Sequence, residues 1–414
     1  MIMQITIKLR FIVLGLLLAT FTGFSSVPED GRFPKDPKVA VLPEYADYFK
    51  DSYQASRLDF LIRAEVLSLK FKGTEKLAIA VPSKETKELF VDVFYIPALK
   101  NSENLLVISC GTHGVEGYAG SAIQRMIMEK YITPENLENT GVLLIHAMNP
   151  YGFSRIRRVT ENNVDMNRNC DATADLFNNK NEGYTKLYKF INPDKRASLG
   201  SFQNRLFVER AILKIVKATM PVLRQAVLQG QYQYPEGLYY GGKEFEHQVI
   251  ALKPNLIRYA SGYNRIIHID LHTGYGARGK MHLFPNPALN KNVKEGTEKL
   301  FEGYQIDWGD SKNFYTITGD FSNLIGKMLP EKLVIPMTLE YGTMDSQKTM
   351  GSLRSIQNMI LENQGFHHGY KNERSERKIK GWLQEMYAPS SPVWRTMVME
   401  QSNELMGKVF NRVK

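Results

Sequence analysis

The sequence predicts an α/β fold, a mixed central sheet flanked by helices on both faces in a three-layer sandwich, and three observations carry this. Short apolar runs at Leu105–Ile108, Gly141–Ala147, Ile266–His272 and Leu333–Glu340 have the length and bounding turn residues of buried strands. Segments with helical spacing separate them, as parallel strands joined by crossovers require. Two more runs, Leu77–Val81 and Leu89–Ile96, are separated only by a polar loop and read as an antiparallel pair, which makes the sheet mixed.

Taken in order, the chain opens with Lys8 and Arg10 ahead of an apolar run, Phe11–Phe21, and then small and polar residues. A run of eleven residues falls short of the roughly 20 needed to span a bilayer, so residues 1–26 read as a signal peptide. The expected protein is exported, periplasmic or secreted, with no membrane span after removal of the signal. Residues 27 to 45 carry four prolines and read as an extended lead-in, and Tyr45–Leu67 has helical spacing. The run at Leu105 passes through a glycine-rich turn into a helix-period segment ending near Tyr131. Asn149-Pro150-Tyr151-Gly152 reads as a turn after the next strand. Phe202–Leu228 is helical with a break at Pro221, and Gly237–Gly242 is an aromatic loop. Leu353–Ile360, Ile379–Met386 and Val393–Val409 read as closing helices, the last started by Ser391-Pro392.

The 414 residues carry a formal charge of +10, and loss of Lys8 and Arg10 lowers it to +8. Basic and acidic residues alternate without forming a stripe, so no nucleic-acid partner is expected. The two cysteines, Cys110 and Cys170, are too few for a disulfide framework and read as buried thiols.

The chemistry gathers at strand ends. His113 and Glu116 lie in the turn where a core strand hands over to a helix, the edge at which open α/β sheets bind ligands. An imidazole and a carboxylate three residues apart there can both reach one zinc ion. His272 ends another strand and is the natural third ligand, with Asp270 or Asp165 able to orient the imidazoles from behind. Glu340 brings a carboxylate to the same edge. As a non-ligand, it suits the task of taking a proton from water acidified by the metal and delivering it to a leaving amine. His146 and His268 read as core or supporting groups; His247, His367 and His368 read as solvated or capping. There is no Gly-x-Ser-x-Gly elbow.

The segments His113-Gly-Val-Glu116, Val164-Asp-Met-Asn-Arg-Asn169, Asp270-Leu-His272 and Thr338-Leu-Glu340 resemble, in order and roughly in spacing, the zinc carboxypeptidase superfamily. Asn149–Phe153 and the Gly237–Gly242 loop look closest to an uncharacterised bacterial branch of it. The resemblance implies zinc held by His113, Glu116 and His272, with Glu340 as catalytic base. It implies Arg157, or else Arg158, as the arginine that polarises the scissile carbonyl. Asn167 and Arg168 match the pair that holds the substrate's terminal carboxylate, and Tyr315 the mobile tyrosine beside it. Asp165 matches the partner of the first histidine. Residues 27–414 are then one catalytic domain, with an enlarged insertion at about 171–262 and closing helices at about 347–414. The implied activity is hydrolysis of an amide beside a free carboxylate, in peptides or cell-wall peptides. The alternatives are a zinc deacylase of N-acyl amino acids and a non-catalytic metal- or peptide-binding protein.

Overall fold

The computed structural model describes residues 31–218, 225–285, 290–308 and 318–413. The expected signal peptide, Pro221 and Tyr315 lie outside these residues. Contacts divide the chain at Arg32, and Phe33–Lys414 form one unit.

Seven strands build one sheet: β1 (Glu75–Ala80), β2 (Phe90–Ile96), β3 (Asn104–Cys110), β4 (Thr140–His146), β5 (Arg265–Gly274), β6 (Met281–Phe284) and β7 (Leu333–Gly342). Their order is β1-β2-β4-β3-β5-β7-β6. The centre, β4-β3-β5-β7, is parallel, while β1, β2 and β6 join antiparallel at the two sides. The longer helices are α1 (Tyr53–Lys70), α2 (Gly117–Lys130), α3 (Glu182–Ile191), α4 (Phe207–Ala218), α5 (His247–Ser261), α6 (Lys291–Leu300), α7 (Thr349–His368), α8 (Glu373–Tyr387) and α9 (Pro392–Arg412).

Side-chain alternation explains the layers. From β3, Leu106 and Ile108 enter one core with Ala119, Ile123 and Met126 of α2 and Val398 of α9. Leu105 and Val107 point the other way, into a core closed by Val249, Leu252 and Leu256 of α5. Every residue of β3 and β4 is buried, which is why both read as unbroken apolar runs. The expected mixed sheet with helices on both faces is therefore what the chain forms.

Some elements differ from the sequence reading for local reasons. Asn149–Gly152 continues into a helical turn, Pro150–Ser154, because Asn149 accepts the Gly152 N–H at 2.9 Å and Pro150 supplies a helical φ. The helix α5 runs through Pro254, a residue that reads as a breaker, its apolar face held against the sheet. The short strand β6 and the helices α3 and α6 are absent from the sequence reading, although both helices are amphipathic. Ser391 caps α9 as expected, accepting the Trp394 N–H at 3.2 Å. Cys110 and Cys170 are buried free thiols. Among the described residues no helix is long and apolar enough to cross a membrane.

Ile108 is fully buried at the middle of the sheet. Ile108→Ala is expected to lower stability by about 2–5 kcal/mol, read as a lower urea midpoint with little change in slope.

Candidate metal centre

The turn after β3 is shaped by glycine and by a neighbouring loop. Gly111 has φ 64°, and a Cβ there would lie 2.7 Å from that of Ala147. A Cβ on Gly114 would meet the backbone of Gly152 and Phe153 at 2.3 Å. That close approach lets Gly114 N–H bond the Arg158 carbonyl at 3.0 Å and Val115 N–H the Arg157 carbonyl at 2.9 Å. His113 and Glu116 therefore stand at the two ends of a single 3₁₀ turn, clamped from outside before α2 begins.

His272 comes from β5, whose parallel pairing with β3 brings it beside that turn. One carboxylate ties these parts together. Asp270, two residues before His272 on the same face, accepts Ser109 Oγ at 2.6 Å and Thr112 Oγ1 at 3.0 Å. Its Oδ2 lies 2.7 Å from His272 Nε2. Burial opposes the charge on Asp270, but His272 and these hydrogen bonds hold its carboxyl below the usual range. On the other side, Asp165 caps the turn Met166–Arg168 and places Oδ1 3.3 Å from His113 Nε2.

With Nε2–H of His272 given to Asp270, its Nδ1 presents a lone pair inward. Nδ1 of His272 lies 3.1 Å from Nδ1 of His113 and 3.0 Å from Glu116 Oε2, and Glu116 Oε1 lies 2.9 Å from His113 Nδ1. The donor atoms of His113, Glu116 and His272 all fall within 4.8 Å of one another, and all three residues are buried. Two imidazole nitrogens and a carboxylate converging out of water repel unless a proton or cation lies between them. Two nitrogens and one oxygen are also a donor set that zinc accepts, with a position to spare. The three residues fit a metal ion.

The charges respond to that crowding. Burial would raise the Glu116 carboxyl, yet His113 and His272 bring it down to about 2. His272 moves well above its ordinary value: burial opposes this, and Asp270 and Glu116 outweigh it. The 2.6 Å contact between Arg158 Nη2 and His113 Nε2 needs a lone pair on that nitrogen. It competes with donation to Asp165, the bond that leaves Nδ1 free for a metal. We take the Asp165 bond as the metal-competent state, because Arg158 keeps Asp165 through its Nε at 3.0 Å in either case.

Glu340 is the register partner of His272 across β5 and β7. Burial and then the Glu116 charge push its carboxyl up to about 8, while the Tyr275 N–H, 3.3 Å from Oε2, acts the other way. A cation beside Glu116 would also lower it. The two arginines part company. Arg157, expected first as the carbonyl-polarising group, is engaged elsewhere: its Nε binds Glu362 of α7 at 2.9 Å, and its guanidinium lies 3.4 Å from the Phe366 ring centre. The physical reason lies in their partners: Glu362 and the Phe366 ring hold Arg157 against α7, while Asp165 and His113 hold Arg158. It is Arg158 that enters the site, with Nη1 3.6 Å from Glu116 Oε1.

The expected carboxylate anchors are also occupied. Asn167 Oδ1 accepts the Phe321 N–H at 3.0 Å. Arg168, 1% exposed, donates to the carbonyls of Asn167, Leu228 and Gln229. A guanidinium has five N–H groups; these bonds leave one on each terminal nitrogen. Sequence reasoning missed three participants. The Thr273 N–H donates to Glu116 Oε2 at 3.0 Å, Tyr387 Oη accepts from Arg158 at 3.4 Å, and Tyr239 lies close to both Arg158 and Arg168. Tyr387 sits on α8, outside any motif, and Tyr239 in the Gly237–Gly242 loop, to which the sequence assigned no role.

A buried His-Glu-His group beside a strand-end glutamate, on a mixed sheet, defines a protein able to hold a metal ion at the carboxyl edge of its parallel strands. The chain belongs to the family described as "Protein of unknown function (DUF2817)", whose model matches residues 49–401. No curated protein matches the sequence. Solved structures similar to it include a metallo-carboxypeptidase from Pseudomonas aeruginosa in complex with (2-guanidinoethylmercapto)succinic acid. That one is 13% identical, with 74% of this chain and 67% of that chain covered and a TM-score of 0.37. Bovine thrombin-activatable fibrinolysis inhibitor, in complex with tick carboxypeptidase inhibitor, is 14% identical over 77% of this chain and 99% of that one, TM-score 0.41. An aspartoacylase family protein from Mesorhizobium loti is 12% identical over 70% and 67%, TM-score 0.33.

Asp270→Asn, which keeps shape but weakens the hold on His272, is expected to cost 10- to 100-fold in zinc affinity by competition with a chromophoric chelator. In the metal-free protein Glu116 sits near 2 against an ordinary 4.5, so it contributes stability above pH 4.5 that is lost as pH falls toward 2. Glu116→Gln should flatten that acid limb in pH-dependent urea unfolding.

Proposed function

We propose that the protein is a zinc-dependent hydrolase of the carboxypeptidase type, acting on an amide bond beside a free carboxylate. The single observation that carries this is the placement of Glu340, a non-ligand carboxylate, in register with His272 and therefore beside the His113-Glu116-His272 donor set. Zinc bound there supplies Lewis acidity and a nucleophile at neutral pH. The chain's own residues do the rest. Asp270 and Asp165 fix the imidazole tautomers. Glu340, whose raised proton affinity a cation beside Glu116 would lower toward the charged form, takes the proton from the attacking water and passes it to the amine as it leaves. Arg158, charged and aimed at the donor set, stabilises the oxyanion that develops on the scissile carbonyl. Arg157 instead anchors the loop to α7.

The substrate's carboxylate is assigned to Arg168, through the N–H left on each terminal nitrogen, a pair that can be bridged by two oxygens. The substrate is a peptide or cell-wall peptide, and export follows from the leader read in the sequence. A deacylase of N-acyl amino acids would use the same groups; a panel of peptides against acyl-amino acids separates the two.

Glu340→Gln should retain stoichiometric zinc by elemental analysis and lose turnover by about 10²-fold or more. Turnover by the wild type should fall as pH drops through the range where Glu340 takes up its proton, and that limb should vanish in the variant. Arg158→Ala should lower kcat by about 10²–10³-fold. Arg157→Ala should mainly cost stability, about 3 kcal/mol, because it strips a partner from buried Glu362. A glutamine variant that keeps full activity removes Glu340 from the mechanism.

A further inference from the structure

Tyr239 lies in the insertion, in the loop Gly237–Gly242, yet it is 5% exposed and stands in the site. Its ring centre is 5.4 Å from the Arg158 guanidinium carbon and 5.9 Å from that of Arg168. One aromatic ring thus lies within cation–π range of both guanidinium groups. Its phenol reaches Met359 Sδ of α7 at 3.4 Å, which also receives Tyr387 Oη at 3.3 Å.

The ring is held there by its backbone. Tyr239 has φ 55°, a left-handed conformation that a bulky side chain adopts only where the surroundings impose it, and such residues gather at ligand clamps. Its carbonyl accepts Gln231 N–H at 3.0 Å, and the next carbonyl, of Tyr240, accepts Asp165 N–H at 2.7 Å. The carbonyl of Leu238 receives Tyr184 Oη at 2.8 Å, and its N–H is given to Asn192 Oδ1 at 3.0 Å. The loop is therefore fastened to the segment that carries Asp165 and Arg168.

From this geometry we infer that Tyr239 sets the size of the residue released, restricting it to a small one such as glycine or alanine. The inference rests on the proposed reaction, in which the released residue extends from the carbonyl at Arg158 to the carboxylate at Arg168. Its side chain must then find room beside the Tyr239 ring, which lies within about 6 Å of both arginines. Overlap with a fixed ring is a steric penalty that grows with each carbon of a larger side chain, whereas removal of the ring opens an apolar hollow beside Met359. Discrimination by one methylene in such a space is worth about 10- to 200-fold.

The test uses the zinc-loaded full chain and N-acyl dipeptides ending in glycine, alanine, leucine or phenylalanine. Wild type should favour alanine over leucine by about 10-fold or more in kcat/KM. Tyr239→Ala and Tyr239→Gly, the latter free to adopt φ 55°, should raise leucine relative to alanine by a similar factor. Tyr239→Phe should keep the wild-type order, since size and not the hydroxyl decides. An unchanged order in both small variants, with melting temperatures showing them folded, overturns the inference, as does a wild type that prefers leucine or phenylalanine. If no dipeptide is cleaved, the proposed reaction fails, and calorimetry of free alanine and phenylalanine then decides the inference alone. Alanine bound by wild type, with phenylalanine bound only by the small variants, upholds it; any other pattern overturns it.

Discussion

The centre depends on one carboxylate. Asp270 joins the end of β3, through Ser109, the turn that carries His113, through Thr112, and the imidazole of His272 two residues along its own strand. None of these bonds is exchangeable with water, because Asp270, Ser109, Thr112 and His272 are all buried. An ionised acid in such a place is costly unless every oxygen is satisfied, and here both oxygens are. The consequence is directional: with Nε2 of His272 committed to Asp270, only Nδ1 can face Glu116. The tautomer of His272 is decided by a residue behind it, as that of His113 is by Asp165.

The sheet makes that arrangement inexpensive to hold. Parallel strands β3, β5 and β7 end at one edge, and their register sets Cys110 beside Leu271 and His272 beside Glu340. His272 and Glu340 thus stand on neighbouring strands whose backbone is fixed by ladder hydrogen bonds and by two apolar layers. The flexible part of the problem shrinks to one short turn. That turn is itself gripped by the Arg157–Arg158 carbonyls through a contact that only glycine at position 114 permits. Packing, not chain stiffness, positions His113 and Glu116.

This explains which parts were legible in the sequence. The turn carrying His113 and Glu116 and the residues His272 and Glu340 were readable because each sits at the end of a short apolar run, where local spacing already says which edge of the sheet it reaches. The mixed sheet was readable for the same reason. The different surroundings of Arg157 and Arg158 were not, because neighbouring side chains in an irregular loop are sorted by their partners, here one some 200 residues away, Glu362. Nor was the engagement of Arg168, whose carbonyl partners at 228 and 229 come from an insertion that adjoins it only after folding. Long-range pairings leave no periodic trace.

The insertion is therefore more than a peripheral elaboration. It supplies the carbonyls that hold Arg168, the Tyr240 carbonyl that fixes Asp165, and Gly241 and Glu244 carbonyls that take both N–H bonds of the Asn169 amide. Asp165 in turn steadies Arg158, and burial opposed by Arg158 and His113 leaves its carboxyl well below the usual range. A segment remote in sequence from every metal-ligand candidate thus controls the aim of two arginines and one imidazole. Changes in this loop reach the donor set only through Asp165 and His113, because Glu116 is held by the Thr273 N–H and His272 by Asp270. The strand-end motifs therefore point to the His-Glu-His group while saying little about the groups that surround it.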